Sequence, residues 1–240
     1  MIVGLCSSYK EGPLVQAALG SLLEACDEVL LMEGPAGEPL TEPVPETDLG
    51  PFANFPHLTV RDGRWRTDAR KRQAMLEWTR QFDPPVWGMI VDADEALCNG
   101  IFLQHWVRRL DWHEEVNPDV EYVGRPLRII EADGAVGWVR GRLLRMDRLV
   151  EYKVSTSVFT VKGSSEPYKG GGNTPDMIED WIKPRTPYFE KGQMCLDPPL
   201  PMEPYLVHLS ILRHPWRTGL RLHEQEKREL ALAGIGTEEK

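Results

Sequence analysis

Two carboxylates one residue apart, Asp92 and Asp94, close an apolar run that contains Val86, Met89, Ile90 and Val91. Apolar side chains on both faces suit a strand inside a parallel sheet that is covered on each side. Asp92 and Asp94 then fall at the C-terminal edge of that strand, where open α/β sheets place their ligands. An Asp-x-Asp pair in that position suits a hard divalent cation held against a diphosphate. The chain is therefore expected to handle a phosphorylated, metal-bound substrate.

Other reactive residues gather at the same expected edge. Cys6-Ser-Ser-Tyr-Lys-Glu11 follows the first strand-like segment, Met1 to Ser7. Glu11 could accept hydrogen bonds from ribose hydroxyls or a base, or simply favour the positive end of the helix that follows. Tyr9 could stack on a base or pack over it. Glu33, at the end of the second strand, is a further acceptor. Arg64-Trp-Arg-Thr-Asp-Ala-Arg-Lys-Arg72 clusters cations at a helix start, where they oppose the macrodipole unless an anion compensates them. A diphosphate would supply that anion, with Arg70 as the expected contact; a solvated basic face is the other reading.

The elements that must position these groups are legible from periodicity. Gly12-Pro13 opens a helix in which Val15, Ala18, Leu19, Leu22, Leu23 and Cys26 recur at helical spacing, with proline suited to the first position. Val29 to Met32 gives a second strand, completing a βαβ unit. From Gly34 to about Pro56 the chain is rich in Pro, Gly and Glu and reads as a surface loop or lid. Leu58 to Val60 is a third strand. Thr67 or Asp68 caps a helix running to about Phe82, with Met75, Thr79 and Phe82 on one side. Another helix is expected from about Gly100 to Leu110. Tyr122 to Ile130 and Gly137 to Met146 read as antiparallel strands around a turn at Glu131 to Gly134. Gly163 to Pro175, with Gly170, Gly171 and Gly172, reads as a mobile acceptor-side lid, and Pro215 to Ala233 as a polar helix.

With 240 residues, the chain can bury roughly 70–75% of its unfolded surface without disulfides. The formal charge of −9 argues against a broad non-specific nucleic-acid surface and leaves room for a local basic groove. Cys6, Cys26, Cys98 and Cys195 show no Cys-x-x-Cys spacing and read as free thiols in a reducing compartment. The chain opens on a strand-like segment without signal-peptide features, and no apolar run approaches the roughly 18 residues of a membrane span. A cytoplasmic protein without a membrane span is expected.

Three stations along the chain resemble one family in order and spacing. Ser8-Tyr-Lys-Glu11 resembles the first-strand Tyr-Asn-Glu element of the family-two nucleotide-sugar enzymes, which are GT-A-fold glycosyltransferases. Ala69-Arg-Lys71 resembles their helix-start Ala-Arg-Asn, and Asp92-Ala-Asp-Glu95 their Asp-x-Asp motif with its trailing Glu. Lys10 and Lys71 replace the family's asparagines. The resemblance covers about residues 1–100, with a fainter extension at Leu206-Val-His-Leu-Ser210.

That resemblance implies an α/β, GT-A (Rossmann-like) mixed sheet with helices on both faces and a smaller antiparallel acceptor-side subregion. It would form one domain over 1–240, divided into a nucleotide-sugar half (1–99), an acceptor-side half (100–212) and a C-terminal helix (213–240). It implies a metal-dependent, UDP-using, inverting transferase of hexosyl type. Asp92 would contact the donor ribose or the metal, Asp94 would bind Mn²⁺ or Mg²⁺, and His208, with His214 as neighbour, would be a further ligand. Imidazole tilts the choice toward Mn²⁺. An inverting reaction also needs a carboxylate base; Asp176, Glu179, Asp180 and Glu166 qualify by location, while Glu95 would orient the acceptor or support the turn.

Two other readings compete. Phosphatases of the haloacid dehalogenase type also carry Asp-x-Asp after an apolar strand, with the first Asp as nucleophile, but theirs lies near the N-terminus and continues with Thr or Val, where this chain has Ala96. A non-catalytic nucleotide-sugar-binding module would not need Asp92, Asp94 and the basic helix start. The acceptor stays open among a glycan, a lipid-linked sugar, a protein side chain and a hydroxylated base in modified DNA. Trp65, Trp138 and Trp181 could stack on sugars or bases, or pack in the core.

Overall fold

The computed structural model describes residues 1–9, 11, 13–36, 47–117, 121–130, 136–153, 158–163, 168–169, 182–183 and 203–209. In chain order these form β1 (Ile2–Ser8), α1 (Leu14–Ala25), β2 (Glu28–Glu33), β3 (Leu58–Asp62), α2 (Asp68–Thr79), β4 (Trp87–Asp92), β5 (Glu95–Cys98) and α3 (Leu103–Val116). β6 (Glu121–Tyr122), β7 (Gly124–Ile130), β8 (Val136–Arg145), β9 (Leu149–Tyr152), β10 (Val158–Val161), β11 (Tyr168–Lys169), β12 (Ile182–Lys183) and β13 (Tyr205–His208) follow.

The main sheet has eight strands in the order β3-β2-β1-β4-β8-β7-β13-β5. β3, β2, β1 and β4 run parallel. β8 is antiparallel to β4 and to β7, β13 is parallel to β7, and β5 is antiparallel to β13. This is a mixed, Rossmann-like α/β sheet. The chain winds from β1 out to β2 and β3, then returns to place β4 on the other side of β1. The gap between the C-terminal ends of β1 and β4 is thus a topological switch point, the position at which such sheets open a ligand crevice.

Helices cover both faces, which explains why β1, β2 and β4 are apolar along their length. On one face Ile2, Cys6, Val29, Leu31, Met89 and Val91 pack with Val15, Leu19 and Leu22 of α1 and Leu103, Val107 and Leu110 of α3. On the other, Val3, Leu5, Leu30 and Ile90 pack with Met75 and Leu76 of α2 and with Tyr152 and Phe159 from β9 and β10. Burying each of these large side chains contributes roughly 1.5–3 kcal/mol. A separate three-stranded sheet, β11-β10-β9, and the pair β12-β6 form the smaller antiparallel part.

Several boundaries differ from the periodicity reading. The helix expected to reach Phe82 ends at Thr79, because the next three amides bond three residues back, Arg80 to Glu77, Gln81 to Trp78 and Phe82 to Thr79. That tightening is a 3₁₀ ending. α3 runs on to Val116, beyond the expected Leu110. Its last turns carry ionic rather than apolar contacts: Arg145 meets Asp111 and Glu114, and Trp87 Nε1 donates to Asp111 at 2.9 Å. The expected surface tract after Gly34 includes a short 3₁₀ turn, Gly50–Phe52, and Leu49 and Phe52 pack against the core. The segments expected as strands after Tyr122 and Gly137 extend the main sheet, and β5 was not anticipated.

Candidate active site at the β1–β4 switch point

Parallel pairing sets Ser7 opposite Asp92 and Ser8 opposite Glu33, so three strand ends meet at one edge. Gly34 leaves β2 at φ +129°, where a Cβ would lie 2.0 Å from Gly63 O. Only glycine accepts that approach, and it brings the ends of β2 and β3 together, with Gly63 N–H donating to Glu33 O at 3.0 Å.

α2 begins at Thr67, whose side chain accepts the Arg70 amide at 3.2 Å, the N-cap that satisfies an otherwise orphan donor. One turn further in, Lys71 and Arg72 are buried. Lys71 Nζ donates to Ser8 O and Gly34 O, both at 2.8 Å, tying the ends of β1 and β2 to the helix. Burial pulls its ammonium down to about 8 despite the nearby Glu33. Trp65 lies over it, its ring centroid 5.2 Å from Nζ.

Asp92 ends β4 with its side chain one-third exposed, at 34%. Arg72 Nη2 donates to Oδ1, and Arg142 Nη2 donates to Oδ2 at 2.8 Å. Burial would favour the neutral carboxyl, but Arg142 and Arg72 outweigh it and hold Asp92 well below the usual carboxylate range. Glu95 is buried; its Oε2 accepts the Asp92 amide at 3.0 Å and its Oε1 accepts from Arg142 at 2.6 Å. Burial, opposed by Arg142 and supported by Asp92, pushes the Glu95 carboxyl up to about 7.

Asp94 is buried and faces His208, with His208 Nε2 2.7 Å from Asp94 Oδ2. The pair is fixed by strand pairing: His208, last residue of β13, stands opposite Glu95, and the Leu209 amide donates to Asp94 O at 2.6 Å. Residues separated by 114 positions thus present a carboxylate and an imidazole to one another. That donor pair suits Mn²⁺ better than Mg²⁺. Among the described residues no group of three His, Cys, Asp or Glu is arranged to hold a metal ion, so a cation here would complete its shell from ligand and water oxygens.

Of the residues expected from sequence, Asp92, Asp94, Glu95 and His208 come together. Tyr9 and Glu11 follow β1 and are partly exposed, and Glu33 ends β2 fully buried. Arg70 is exposed in the first turn of α2, while the guanidinium that reaches Asp92 belongs to Arg72. Asp176, Glu179, Asp180, Glu166, Trp181 and His214, the Pro215–Ala233 helix and most of the Gly163–Pro175 tract lie outside the described residues, as does the side chain of Trp138.

Sequence reasoning missed Arg72 and Arg142. A signal existed for the first: Arg72 precedes Met75 by three and Thr79 by seven, so it shares the buried face of α2. No periodicity marks Arg142. Near the other end of β4, a second ionic group joins Arg145 to Asp111, Glu114 and Asp147, and Arg148 to Glu114; it anchors α3 to β8.

No protein-family model matches the chain, and no curated protein matches it. Among solved structures it is similar to S. aureus TarS, with 16% identity and a TM-score of 0.34 over 56% of this chain and 22% of that one. A structure of S. aureus TarS 1–349 gives 15% identity and a TM-score of 0.31 over 56% of this chain and 37% of that one. The chain thus spans between about a fifth and two-fifths of those chains' length. A superposition this loose carries no functional weight, and the site must be read from its own residues.

Proposed function

We propose that the chain is a metal-dependent glycosyltransferase that moves a sugar from a nucleoside-diphosphate sugar, UDP-linked, to a hydroxyl acceptor. The observation that carries this reading is the meeting of Asp94 with His208 beside Asp92 at the β1–β4 switch point. Asp94 and His208 would hold Mn²⁺, which when bound supplies Lewis-acid stabilisation of the departing diphosphate. Both Asp92 oxygens are engaged by arginines, so Asp92 would serve the donor ribose through its outer lone pairs. Arg72, with the exposed Arg70, would add positive charge where the leaving group gathers negative charge.

Tyr9 and Glu11 would line the nucleoside side, whereas Glu33, fully buried at the end of β2, would not touch a bound nucleoside. The base of an inverting transfer is assigned to the segment holding Asp176 and Asp180, with Glu166 and Glu179 as its neighbours. Among the described residues no helix is long and apolar enough to cross a membrane. Cys6, Cys26 and Cys98 are all unbridged, which suits a reducing compartment such as the cytoplasm.

The test is a thermal shift with uridine diphosphate, with and without Mn²⁺, on the natural protein and on Asp94→Ala and His208→Ala. A ligand that binds only the native state at about 100 times its Kd stabilises by about 2.7 kcal/mol. The shift should require Mn²⁺ and vanish in both variants while their unliganded folds persist. A screen of nucleotide sugars for Mn²⁺-dependent donor hydrolysis then identifies the sugar. A folded Asp94→Ala protein with undiminished Mn²⁺-dependent hydrolysis would sink the proposal.

A further inference from the structure

The acidic turn is gripped by Arg142, which stands where β8 passes from its regular pairing with β4, Leu143 opposite Met89, into an irregular stretch against β7. β7 carries Pro126 in mid-strand, and a proline has no amide hydrogen for the ladder, so prolines within sheets sit at edges or bulges. The register shows the bulge. Arg125 pairs with Leu143 and Leu127 with Val139, so Pro126 alone faces Arg140, Gly141 and Arg142. Gly141 takes φ +72°, yet a Cβ built there meets nothing within 4 Å. Glycine is needed here for backbone conformation rather than for space.

Bulges of this kind re-aim a side chain, and the residue that leaves this one is Arg142. Its guanidinium is 14% exposed and lies 2.8 Å from Asp92 Oδ2 and 2.6 Å from Glu95 Oε1. Glu95 in turn accepts the Asp92 amide. Backbone, carboxylate and guanidinium close a ring around the turn that ends in Asp94. Without Arg142, Glu95 would lose its arginine and Asp92 would keep Arg72.

We infer that Arg142, aimed by the Pro126–Gly141 bulge, is a positioning residue that shapes the Asp92–Glu95 turn and so directs Asp94 toward His208. It acts through Asp92 and Glu95. The consequence for cation binding rests on the glycosyltransferase reading; the shaping of the turn does not.

The experiment compares the natural protein with Arg142→Met, Arg142→Lys and Gly141→Ala by residue-resolved amide hydrogen exchange. In parallel, Mn²⁺ is titrated in the presence of uridine diphosphate and followed by electron paramagnetic resonance. Exchange of the Asp92 amide should quicken about tenfold or more in Arg142→Met and Gly141→Ala, with β1 and β2 amides unchanged and Arg142→Lys intermediate. Mn²⁺ affinity should fall in the same order. An unaltered Asp92 amide in Arg142→Met and Gly141→Ala overturns the inference. So does a uniform rise across β1, β2 and β4, which would make Arg142 a general stabiliser, or an unchanged Mn²⁺ affinity beside a loosened turn. If the natural protein binds no Mn²⁺, the glycosyltransferase reading fails while the exchange data still decide the role of Arg142.

Discussion

Lys71, buried at the start of α2, should make stability depend on pH in an unusual direction. The residue is 3% exposed, and its ammonium is bonded to two backbone carbonyls that join β1 and β2 to α2. Burial brings it down to about 8 from the ordinary 10.5. Below about pH 8 both folded and unfolded chains hold the proton, and the cost of burying the charge is borne in full. Between about 8 and 10.5 the folded chain has released the proton and the unfolded chain has not, so stability rises with pH. Integrating from about pH 7 to pH 9.5 gives a rise of about 2 kcal/mol from this group.

The assay is urea unfolding of the natural protein and of Lys71→Met at both pH values, since the difference between the two proteins removes the other titrating groups. Lys71→Met should be destabilised, because Gly34 O loses its lysine donor. The gap between the proteins should widen by about 2 kcal/mol at the higher pH. A gap that stays constant, or narrows, refutes the depressed lysine and with it the account of how this helix is seated under the strand ends.

The other expectations concern the second ionic group and the core. Arg145→Met should cost about 3 kcal/mol in urea unfolding, because it strips a cation from part-buried Asp111, Glu114 and Asp147, of which Glu114 keeps Arg148; a loss below about 0.5 kcal/mol would mean the network contributes only as exposed pairs do. Cys6 is fully buried, and burial together with Asp92 pushes its thiol far up. Iodoacetamide at about pH 8 should therefore spare Cys6 in the native protein and modify it in urea, as read by mass spectrometry of its peptide. Rapid native alkylation would place Cys6 outside the core.

Much of the donor half could be read from local pattern. β1, α1, β2 and β4 announce themselves because both-face burial demands unbroken apolar runs, and the Thr67 cap follows from hydrogen-bond chemistry within one turn. β5 escaped notice because Glu95-Ala-Leu-Cys98 is short and its pairing partner lies over a hundred residues away. The far end of α3 was missed for another reason. Its buried face there is finished by Asp111 and Glu114, whose partners are arginines of β8 and the turn that follows it, so apolar periodicity stops before the helix does.

Sequence alone determined that an Asp-x-Asp pair would end a buried parallel strand, because that needs only the polarity of consecutive residues. Tertiary structure decided what each carboxylate meets. β13 slots between β7 and β5 and delivers His208 to Asp94, and β8, antiparallel to β4 and bulged against β7, brings Arg142 to Asp92. Strand order and bulge register are set by the competition among all possible pairings of the whole chain, and a one-residue slip would turn each of those side chains to the opposite face. No local window of sequence carries that information.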